Sequence, residues 1–321
     1  MDLGTVRVAA VQATPVVLDV EATVDLVLER LGEAADHGAA LTVFPECFLS
    51  VYPSGAWAAA AATWSAACDA LWERMWASSV DVGGAQVARL VAGCASRGVH
   101  LVIGVNERED QRPGTLYNTL LVIGPQGVVH RHRKLMPTMH ERVFHGVGAG
   151  DDLSVVDLPG VGRVGGLICW ENRMPLARWA VYQGGPQIWV APTADDSDGW
   201  LASVRHIAIE AGAFVVSAPQ LIPTSAFPDD FPLPLPDGVT VLGRGGACVV
   251  SPTGDVIAGP LYDEEGIVIA DCDLRATLLA KRYFDVVGHY GRTDVLAPSP
   301  PQDHAQAART TSPDDHEAAS T

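Results

Sequence analysis

Short runs of apolar residues alternate along the first third of the chain with segments whose apolar residues recur every three or four positions. The runs lie at residues 6–11, 41–44 and 99–105 and predict buried strands. Between them, residues 19–36 and 85–96 have helical spacing, with Asp19 as N-cap and Gly98 as a stop. This β–α–β–α–β order is typical of an α/β sheet covered by helices.

The remaining two thirds continue the alternation. The pattern predicts strands at 115–123, 127–133, 164–168, 187–191 and 214–218, and helices at 200–211 and 275–282. An alanine-rich segment before residue 77 predicts a helix running through Trp64, Leu71 and Trp76. Residues 247–250 and 266–270 read as a terminal pair of strands, flanking turns at 252–254 and 259–260.

In two segments the apolar residues do not recur at the spacing of a helix or a strand. Residues 222–238 are rich in Pro and Asp and predict a long loop. From residue 298 the chain consists mainly of Pro, Ser, Thr, Asp, Gln and Ala, which predicts a disordered tail. We therefore expect one domain over residues 1–297 and a disordered tail over 298–321.

Composition narrows the classes of partner. Lys and Arg number 21 against 38 Asp and Glu, and the net charge of −17 argues against nucleic acid or an anionic membrane as a partner. No apolar stretch is long enough to span a bilayer. The first residues run directly into a strand without a basic region or a long apolar segment, so we expect no signal peptide and a cytoplasmic, reducing location. None of the six cysteines lies in a C-x-x-C pair, so no zinc-type spacing is present.

Cys169 follows a buried strand and precedes a helical pattern. A strand end places a side chain at the mouth of an open sheet, and N–H groups at a helix start favour a thiolate. Cys169 is therefore a candidate nucleophile, although a buried cysteine acting as a small apolar residue fits the local pattern too.

Glu46 also follows a buried strand, among apolar neighbours that make its carboxylate expensive to bury. Desolvation raises the pKa of such a group, which suits a general base, whereas a salt-bridged or capping carboxylate is the alternative. Lys134 ends a third strand, and its ammonium can stabilise negative charge if it lies near Glu46 and Cys169. Glu141, seven residues later, can hold that ammonium or form a surface pair with Arg142.

Three dispersed motifs resemble those of the nitrilases, which belong to the carbon–nitrogen hydrolase superfamily. They are Phe-Pro-Glu ending at Glu46, His-Arg-Lys-Leu-x-Pro-Thr-x-x-Glu-Arg containing Lys134 and Glu141, and Cys-Trp-Glu-Asn-x-Met-Pro-Leu beginning at Cys169. Matching segments occur in the same order over roughly residues 5–296. The resemblance implies a four-layer αββα sandwich that forms dimers and larger homo-oligomers, and it implies a catalytic set of Glu46, Lys134 and Cys169 supported by Glu141.

The same resemblance implies hydrolysis of an organic nitrile to a carboxylic acid and ammonia, without a metal or organic cofactor. Trp170 and Glu171 after the cysteine match the nitrilase version of the motif, whereas amidases and carbamoylases of the superfamily usually differ there. His145 and Ala149 depart from the family pattern, in which Trp and Asp are common at these positions, so the choice of nitrile stays open. We expect Tyr52, His145 and Trp170 to line the substrate pocket.

Three alternatives remain open at this point. The first is an amidase or carbamoylase, which uses the same catalytic residues. The second, narrower than the nitrilase hypothesis, is an enzyme that converts cyanide. A non-catalytic interaction protein on the same fold is the third, although the presence of Glu46, Lys134 and Cys169 disfavours it. Cys47, next to Glu46, is a second thiol that we interpret as structural.

Overall fold

Thirteen strands in two sheets form the centre of the molecule in the computed structural model, which describes residues 3–109 and 111–296. The strands are β1 Thr5–Gln12, β2 Leu41–Val43, β3 His100–Arg108, β4 Leu116–Gly124, β5 Gly127–Arg133, β6 Val156–Leu158, β7 Gly162–Gly166, β8 Ile188–Thr193, β9 Phe214–Pro219, β10 Leu221–Pro223, β11 Val241–Val250, β12 Val256–Tyr262 and β13 Gly266–Asp273. The predicted tail at 298–321 lies outside the described residues.

The helices connect the strands and cover the sheets. They are α1 Val20–Asp36, α2 Gly55–Ala58, α3 Ala66–Ala77, α4 Ala85–Arg97, α5 Pro175–Tyr182, α6 Asp198–Ala211, α7 Arg275–Tyr283 and α8 Thr293–Leu296. Short 3₁₀ helices lie at Ala59–Ala61, Met139–Val143, Cys169–Arg173 and Thr224–Ala226. Within the described part of the chain, no helix is both long and apolar enough to cross a membrane.

The first sheet has the order β13-β1-β2-β3-β4-β5, and the second has β10-β11-β9-β8-β7-β6 with β12 paired to β11. Strands β1, β2 and β3 are parallel to one another, as are β7, β8 and β9. Because parallel neighbours end at the same edge of a sheet, the residues after β2, β7 and β8 emerge at sheet edges where side chains from different elements converge.

Apolar side chains of the two sheets pack face to face. Val8 and Val43 of the first sheet and Val164, Val190 and Val216 of the second belong to this central cluster. The outer face of the first sheet packs against α1 and α4, and the outer face of the second packs against α5 and α6. The layers are thus helix, sheet, sheet and helix, which confirms the predicted αββα sandwich.

Several sequence-based boundaries are confirmed, and the local chemistry explains them. The carboxylate of Asp19 accepts a hydrogen bond from the N–H of Ala22 and caps α1. Gly98 ends α4 in the left-handed conformation, with φ of 67°.

The alanine-rich helix predicted through Trp64 is wrong. It breaks after residue 61, and Trp64 is fully exposed in the break. Ser65 restarts the chain as α3 because its hydroxyl accepts the N–H of Cys68.

The predicted terminal pair of strands is also wrong. Strand β13 pairs with β1 in the first sheet, while β11 pairs with β9, β10 and β12 in the second. Gly259 and Pro260, which we predicted to form a turn, lie inside β12. The pairing of strands that are far apart in sequence depends on which apolar face packs against the core. A local sequence pattern does not show which strand will be the partner.

Candidate active site

Glu46, Lys134 and Glu141 form a buried cluster on the side of the first sheet. The ammonium of Lys134 lies 2.7 Å from Glu46 Oε1 and 2.7 and 2.9 Å from the two carboxylate oxygens of Glu141. All three side chains are fully buried. Burial of two carboxylates and one ammonium is tolerated here because the ammonium is paired with oxygens of both carboxylates.

The position of Glu46 depends on close packing at the end of β2. Gly104 of the neighbouring strand β3 lies against this turn, and a Cβ at residue 104 would come within 2.5 Å of Glu46 Cα. The second carboxylate oxygen of Glu46 accepts the N–H of Ala194, at 2.9 Å, from the second sheet. Gln220 donates to the Glu46 carbonyl oxygen at 2.5 Å, also from the second sheet. Both sheets therefore hold this residue.

Asn118 of β4 is a member of the cluster that the sequence analysis missed. Its Nδ2 lies 2.7 Å from Glu46 Oε1 and 3.3 Å from Glu141 Oε2, so one amide donates towards both carboxylates. The sequence signal for it was an asparagine within the mainly apolar strand β4, since a buried amide needs hydrogen-bond partners.

The electrostatics of the cluster separate its two carboxylates. Burial, together with Glu141, raises the pKa of Glu46 despite the opposing effect of Lys134. For Glu141, burial acts to raise the pKa, but the charge of Lys134 outweighs it and the pKa is lowered. Burial also acts against the charge of Lys134, but Glu46 and Glu141 outweigh it and hold the pKa of Lys134 well above its usual value. Glu46 is thus the more basic carboxylate and Lys134 keeps its proton.

Cys169 approaches the cluster from the second sheet. Strand β7 ends at Gly166, and Cys169 begins the 3₁₀ helix Cys169–Arg173 with φ of 49°, in the left-handed region that non-glycine residues rarely occupy. Thr193, at the end of β8, donates its hydroxyl to Cys169 Sγ at 3.1 Å. The predicted position at a strand-to-helix turn is what the structure shows, with a 3₁₀ helix in place of the first α-helical turn.

The expectation that the helix start favours the thiolate is not met in the resting site. Burial raises the pKa of the Cys169 thiol strongly and the charge of Glu46 raises it further, whereas Lys134 and the Thr193 hydrogen bond act in the opposite direction. The resting sulfur therefore carries its proton, and a base must remove that proton when a substrate arrives.

A cavity of about 350 Å³ opens onto Cys169. Its lining residues are Tyr52, Pro53, Gly55, Thr138, Met139, His140, Cys169, Trp170, Ala194, Asp195 and Asp196. Tyr52 and Trp170, two of the expected pocket residues, both line this cavity. The Tyr52 hydroxyl donates to Glu141 at 2.8 Å, and the Trp170 indole N–H donates to Asp195 at 2.7 Å. A cavity of this size accommodates a small organic substrate.

His145 does not lie in the cavity wall that we expected it to form. Its ring is buried behind Glu141, with Nε2 2.6 Å from Asn106 Oδ1 and Nδ1 4.0 Å from Glu141 Oε2. Burial lowers the pKa of His145 to about 4, so the ring is neutral at pH 7. Cys47 is likewise buried, and burial raises its pKa well above the ordinary value, which agrees with a structural thiol.

A second buried group of charges lies beside the cluster, and the sequence analysis missed it. His132 of β5 bridges two carboxylates, with Nδ1 2.8 Å from Asp152 Oδ1 and Nε2 3.1 Å from Glu171 Oε2. The sequence signal for it was the alternation of side chains along an extended segment, which puts His132 on the same side as Lys134, the residue that follows β5.

Glu210 supports the segment that follows Cys169. His206, four residues earlier on α6, lies 3.6 Å from Glu210, whereas Arg178 and Tyr182 donate to Glu210 at 2.7 and 2.8 Å. Arg178 also donates to the carbonyl oxygen of Asn172, at 2.8 Å. The Arg178–Glu210 ion pair thus links α6 to the 3₁₀ helix that begins with Cys169.

Within residues 3–109 and 111–296, no group of three or more His, Cys, Asp and Glu side chains is arranged to hold a metal ion. The Cys169 thiol lines the cavity, and Tyr52 and Ala194, which also line it, hydrogen-bond to the buried carboxylates of Glu141 and Glu46 that hold the Lys134 ammonium. Such a set can form a covalent bond to an electrophilic carbon and move protons to and from it.

Comparison with known proteins places this arrangement in a family. The family model described as carbon-nitrogen hydrolase matches residues 7–282. An aliphatic nitrilase of Sinorhizobium fredii is 44% identical over 294 residues, covering 90% of this chain and 94% of that protein. A bifunctional nitrilase/nitrile hydratase, NIT4B, of Nicotiana tabacum is 42% identical over 305 residues, covering 91% of this chain and 85% of that protein.

Solved structures agree on the fold. The crystal structure of a carbon-nitrogen hydrolase from Helicobacter pylori G27 superposes with a TM-score of 0.72 at 17% identity, covering 92% of this chain and 98% of the other. At that identity the likeness concerns the fold alone, and the family assignment comes from the family model and the closer sequence relatives. The chain belongs to the carbon–nitrogen hydrolase family, in its nitrilase branch.

Proposed function

We propose that the protein hydrolyses an organic nitrile to the carboxylic acid and ammonia, with Cys169 as nucleophile, Glu46 as base, Lys134 as electrophilic catalyst and Glu141 as the residue that positions Lys134. The observation that carries the proposal is the buried Glu46–Lys134–Glu141 cluster, whose charges act on the Cys169 thiol, together with the cavity that opens onto Cys169. The relatives named as nitrilases support the substrate class.

In the first step Glu46 takes the proton of Cys169, and the sulfur forms a bond to the nitrile carbon. One electron pair of the C≡N bond moves to nitrogen, which takes a proton back from Glu46 and gives a thioimidate. Lys134 and the backbone N–H of Trp170, in the first turn of the 3₁₀ helix, stabilise the charge on nitrogen. The raised pKa of Glu46 suits a group that both accepts and returns a proton.

A water molecule that gives a proton to Glu46 then adds to the thioimidate carbon. The protonated nitrogen leaves as ammonia, which yields a thioester on Cys169. A second water attacks the thioester, the C–S bond breaks, and the thiol regains its proton as the carboxylic acid departs. The sum is one nitrile and two waters giving one acid and one ammonia. Breaking the C–S bond of the tetrahedral intermediate before ammonia is lost would release the amide instead.

A reducing, cytoplasmic location and a homo-oligomeric state are also part of the proposal. The six cysteines are all unpaired, although Cys68 is partly accessible, which supports a reducing compartment. Large apolar side chains on the outside of α5 and α7, including Leu176, Leu278, Leu279 and Tyr283, support an interface with a further subunit. Sedimentation of the purified protein tests the oligomeric state.

The proposed activity is tested by ammonia release from a panel of nitriles and the matching amides, using wild type and Cys169→Ala. Cys94→Ala is the matched control, because Cys94 is an equally buried thiol in α4 that lies outside the cavity. We expect release from nitriles by wild type and Cys94→Ala but not by Cys169→Ala.

Other outcomes identify the alternatives. Release from amides alone would indicate an amidase or carbamoylase, and turnover of cyanide alone would indicate a cyanide-converting enzyme. No turnover, together with a Cys169 that resists alkylation in the folded protein, would indicate a non-catalytic interaction protein.

A further inference from the structure

The carboxylate of Glu171 lies between the two chain segments that carry Lys134 and Cys169. Its Oε1 accepts the backbone N–H of Leu135 at 2.5 Å, directly after Lys134. Its Oε2 accepts the backbone N–H of Ile168 at 2.9 Å, directly before Cys169. One carboxylate thus holds two backbone groups that follow strands of different sheets and are each one residue from a proposed catalytic side chain.

His132 and Asp152 complete the arrangement around Glu171. His132 Nε2 lies 3.3 and 3.1 Å from the two oxygens of Glu171, and Nδ1 lies 2.8 Å from Asp152 Oδ1. Asp152 Oδ2 in turn accepts the backbone N–H of Arg133, at 2.9 Å. The side chains of Glu171 and His132 are at most 2% exposed. Both ring nitrogens face carboxylates, so the ring donates at both sites only when it is protonated.

We propose that Glu171, held by His132, is a positioning residue that sets the location of the Cys169 sulfur relative to the Lys134 ammonium. The inference rests on the proposed roles of Cys169 and Lys134, but it does not depend on which substrate is turned over. In this proposal Glu171, the glutamate after the Cys-Trp pair, positions the catalytic groups and does not contact the substrate. Glu171 is not among the residues that line the cavity.

Geometry explains why such a link matters. Cys169 and Lys134 are supplied by separate sheets, so small relative shifts of the sheets change their separation directly. A misplacement of about 1 Å between reacting groups costs about a hundredfold in rate. Two charge-assisted hydrogen bonds that one buried carboxylate accepts restrict that shift, because neither segment can move without breaking one of them.

The charge of His132 makes the link dependent on pH. The groups that face its ring are Asp152 from the loop, Glu171 from the 3₁₀ helix and His130 from its own strand. Burial acts to lower the pKa of His132, but Asp152 and Glu171 outweigh it and raise the pKa to about 9. Above that pH the ring loses a proton. The ring nitrogen that has lost it and the carboxylate oxygen it faces are then both acceptors, and the hydrogen bond between them is lost.

The first test compares Glu171→Gln with Glu107→Gln. Glu107 is an equally buried carboxylate, but it accepts from the side chains of Thr119, Arg131 and Arg133. We measure alkylation of Cys169 by iodoacetamide, quantified by mass spectrometry of its peptide, with far-UV circular dichroism and urea unfolding as measures of folding.

We expect Glu171→Gln to alkylate about tenfold more slowly than wild type, and Glu107→Gln to remain within about twofold. On a nitrile that the enzyme turns over, Glu171→Gln should lower kcat and leave KM unchanged. A folded Glu171→Gln protein with wild-type alkylation would overturn the inference. Because alkylation needs no nitrile, this result is separate from any failure of the proposed function.

A second variant, His132→Gln, keeps the proposal testable if Glu171→Gln does not fold. We divide the wild-type alkylation rate by the His132→Gln rate at each pH. The increase in rate caused by ionisation of the Cys169 thiol is common to both proteins and drops out of this ratio. We expect this ratio to exceed one at pH 7 and to fall towards one as pH rises through about 9, where wild type loses the charge on His132. A ratio that stays constant from neutral to alkaline pH would contradict the assigned role.

Discussion

His145 turns an unprotonated ring nitrogen towards Glu141, with Nδ1 4.0 Å from Glu141 Oε2. The tautomer follows from the neighbouring amide. Asn106 Nδ2 donates to the carbonyl oxygen of Val51 at 2.8 Å, so Asn106 Oδ1 is the atom that accepts from His145 Nε2 at 2.6 Å. Nε2 therefore carries the proton, and among the described residues Nδ1 has no hydrogen-bond partner. Glu141 takes its hydrogen bonds from Lys134, Tyr52 and Asn118 instead.

This relationship predicts a pH-dependent stability. The ring is neutral in the folded protein down to pH about 4, whereas its ordinary pKa is 6.5. Between these values the unfolded chain binds a proton that the folded protein does not, so the free energy of unfolding falls as pH falls from 6.5 to 4. We expect His145→Gln to lose this contribution, and urea titrations of both proteins across that range measure it. Equal slopes against pH for both proteins would show that His145 does not titrate this way.

Asn118 links the two carboxylates, and its removal should change the basicity of Glu46. The hydrogen bond from Asn118 lowers the pKa of Glu46, against the larger effect of burial. In Asn118→Leu that pKa rises, so we expect the acid limb of kcat/KM against pH to move to higher pH. The control is Thr119→Val on the same strand, since Thr119 binds Glu107 and not Glu46. An acid limb that moves equally in both variants would point to a general loss of structure.

Glu141→Gln should keep the fold and lose most of the turnover. Glu141 holds the ammonium of Lys134 with both oxygens, and an amide can offer that ammonium only one. We expect kcat to fall about a hundredfold or more, measured as ammonia release. Tyr52→Phe removes one hydrogen bond to the same carboxylate and should cost about tenfold or less. Full activity of folded Glu141→Gln would refute the role of this residue.

Thr193 offers the cleanest comparison between two variants at one position. Its hydroxyl donates to Cys169 Sγ and accepts the N–H of Asp195 at 2.9 Å. Thr193→Val has nearly the same shape without the hydroxyl, so the thiol pKa should rise and alkylation of Cys169 at neutral pH should slow by about tenfold. Thr193→Ser keeps the hydroxyl and should stay close to wild type. The hypothesis fails if both variants react alike.

The sequence allowed prediction of the strand ends that carry Glu46, Lys134 and Cys169, because buried apolar runs and the residues after them are local features. Asn118 and Thr193 were harder to recognise, since each lies within a strand and acquires its role only from contacts with residues far along the chain. His145 was assigned to the wrong place for the same reason. A motif position gives the segment that bears a side chain but not the direction in which it points.

The pairing of strands shows the same limit at a larger scale. The apolar run at β13 was recognised, but its partner β1 lies at the other end of the chain. The break at Trp64 depends on the cap formed by Ser65, which the helix propensity of the surrounding alanines concealed. In each case a distant contact or a single capping hydrogen bond decided between conformations of similar local preference.

Because the first sheet supplies Glu46 and Lys134 and the second supplies Cys169 and Thr193, the reactive centre exists only where the two layers meet. Glu46 also accepts the N–H of Ala194 across this boundary. Any molecule that bonds to the Cys169 sulfur while contacting the Glu46 carboxylate connects the two sheets. Occupancy of the centre should therefore raise the resistance of the entire sandwich to unfolding, through linkage between binding and folding.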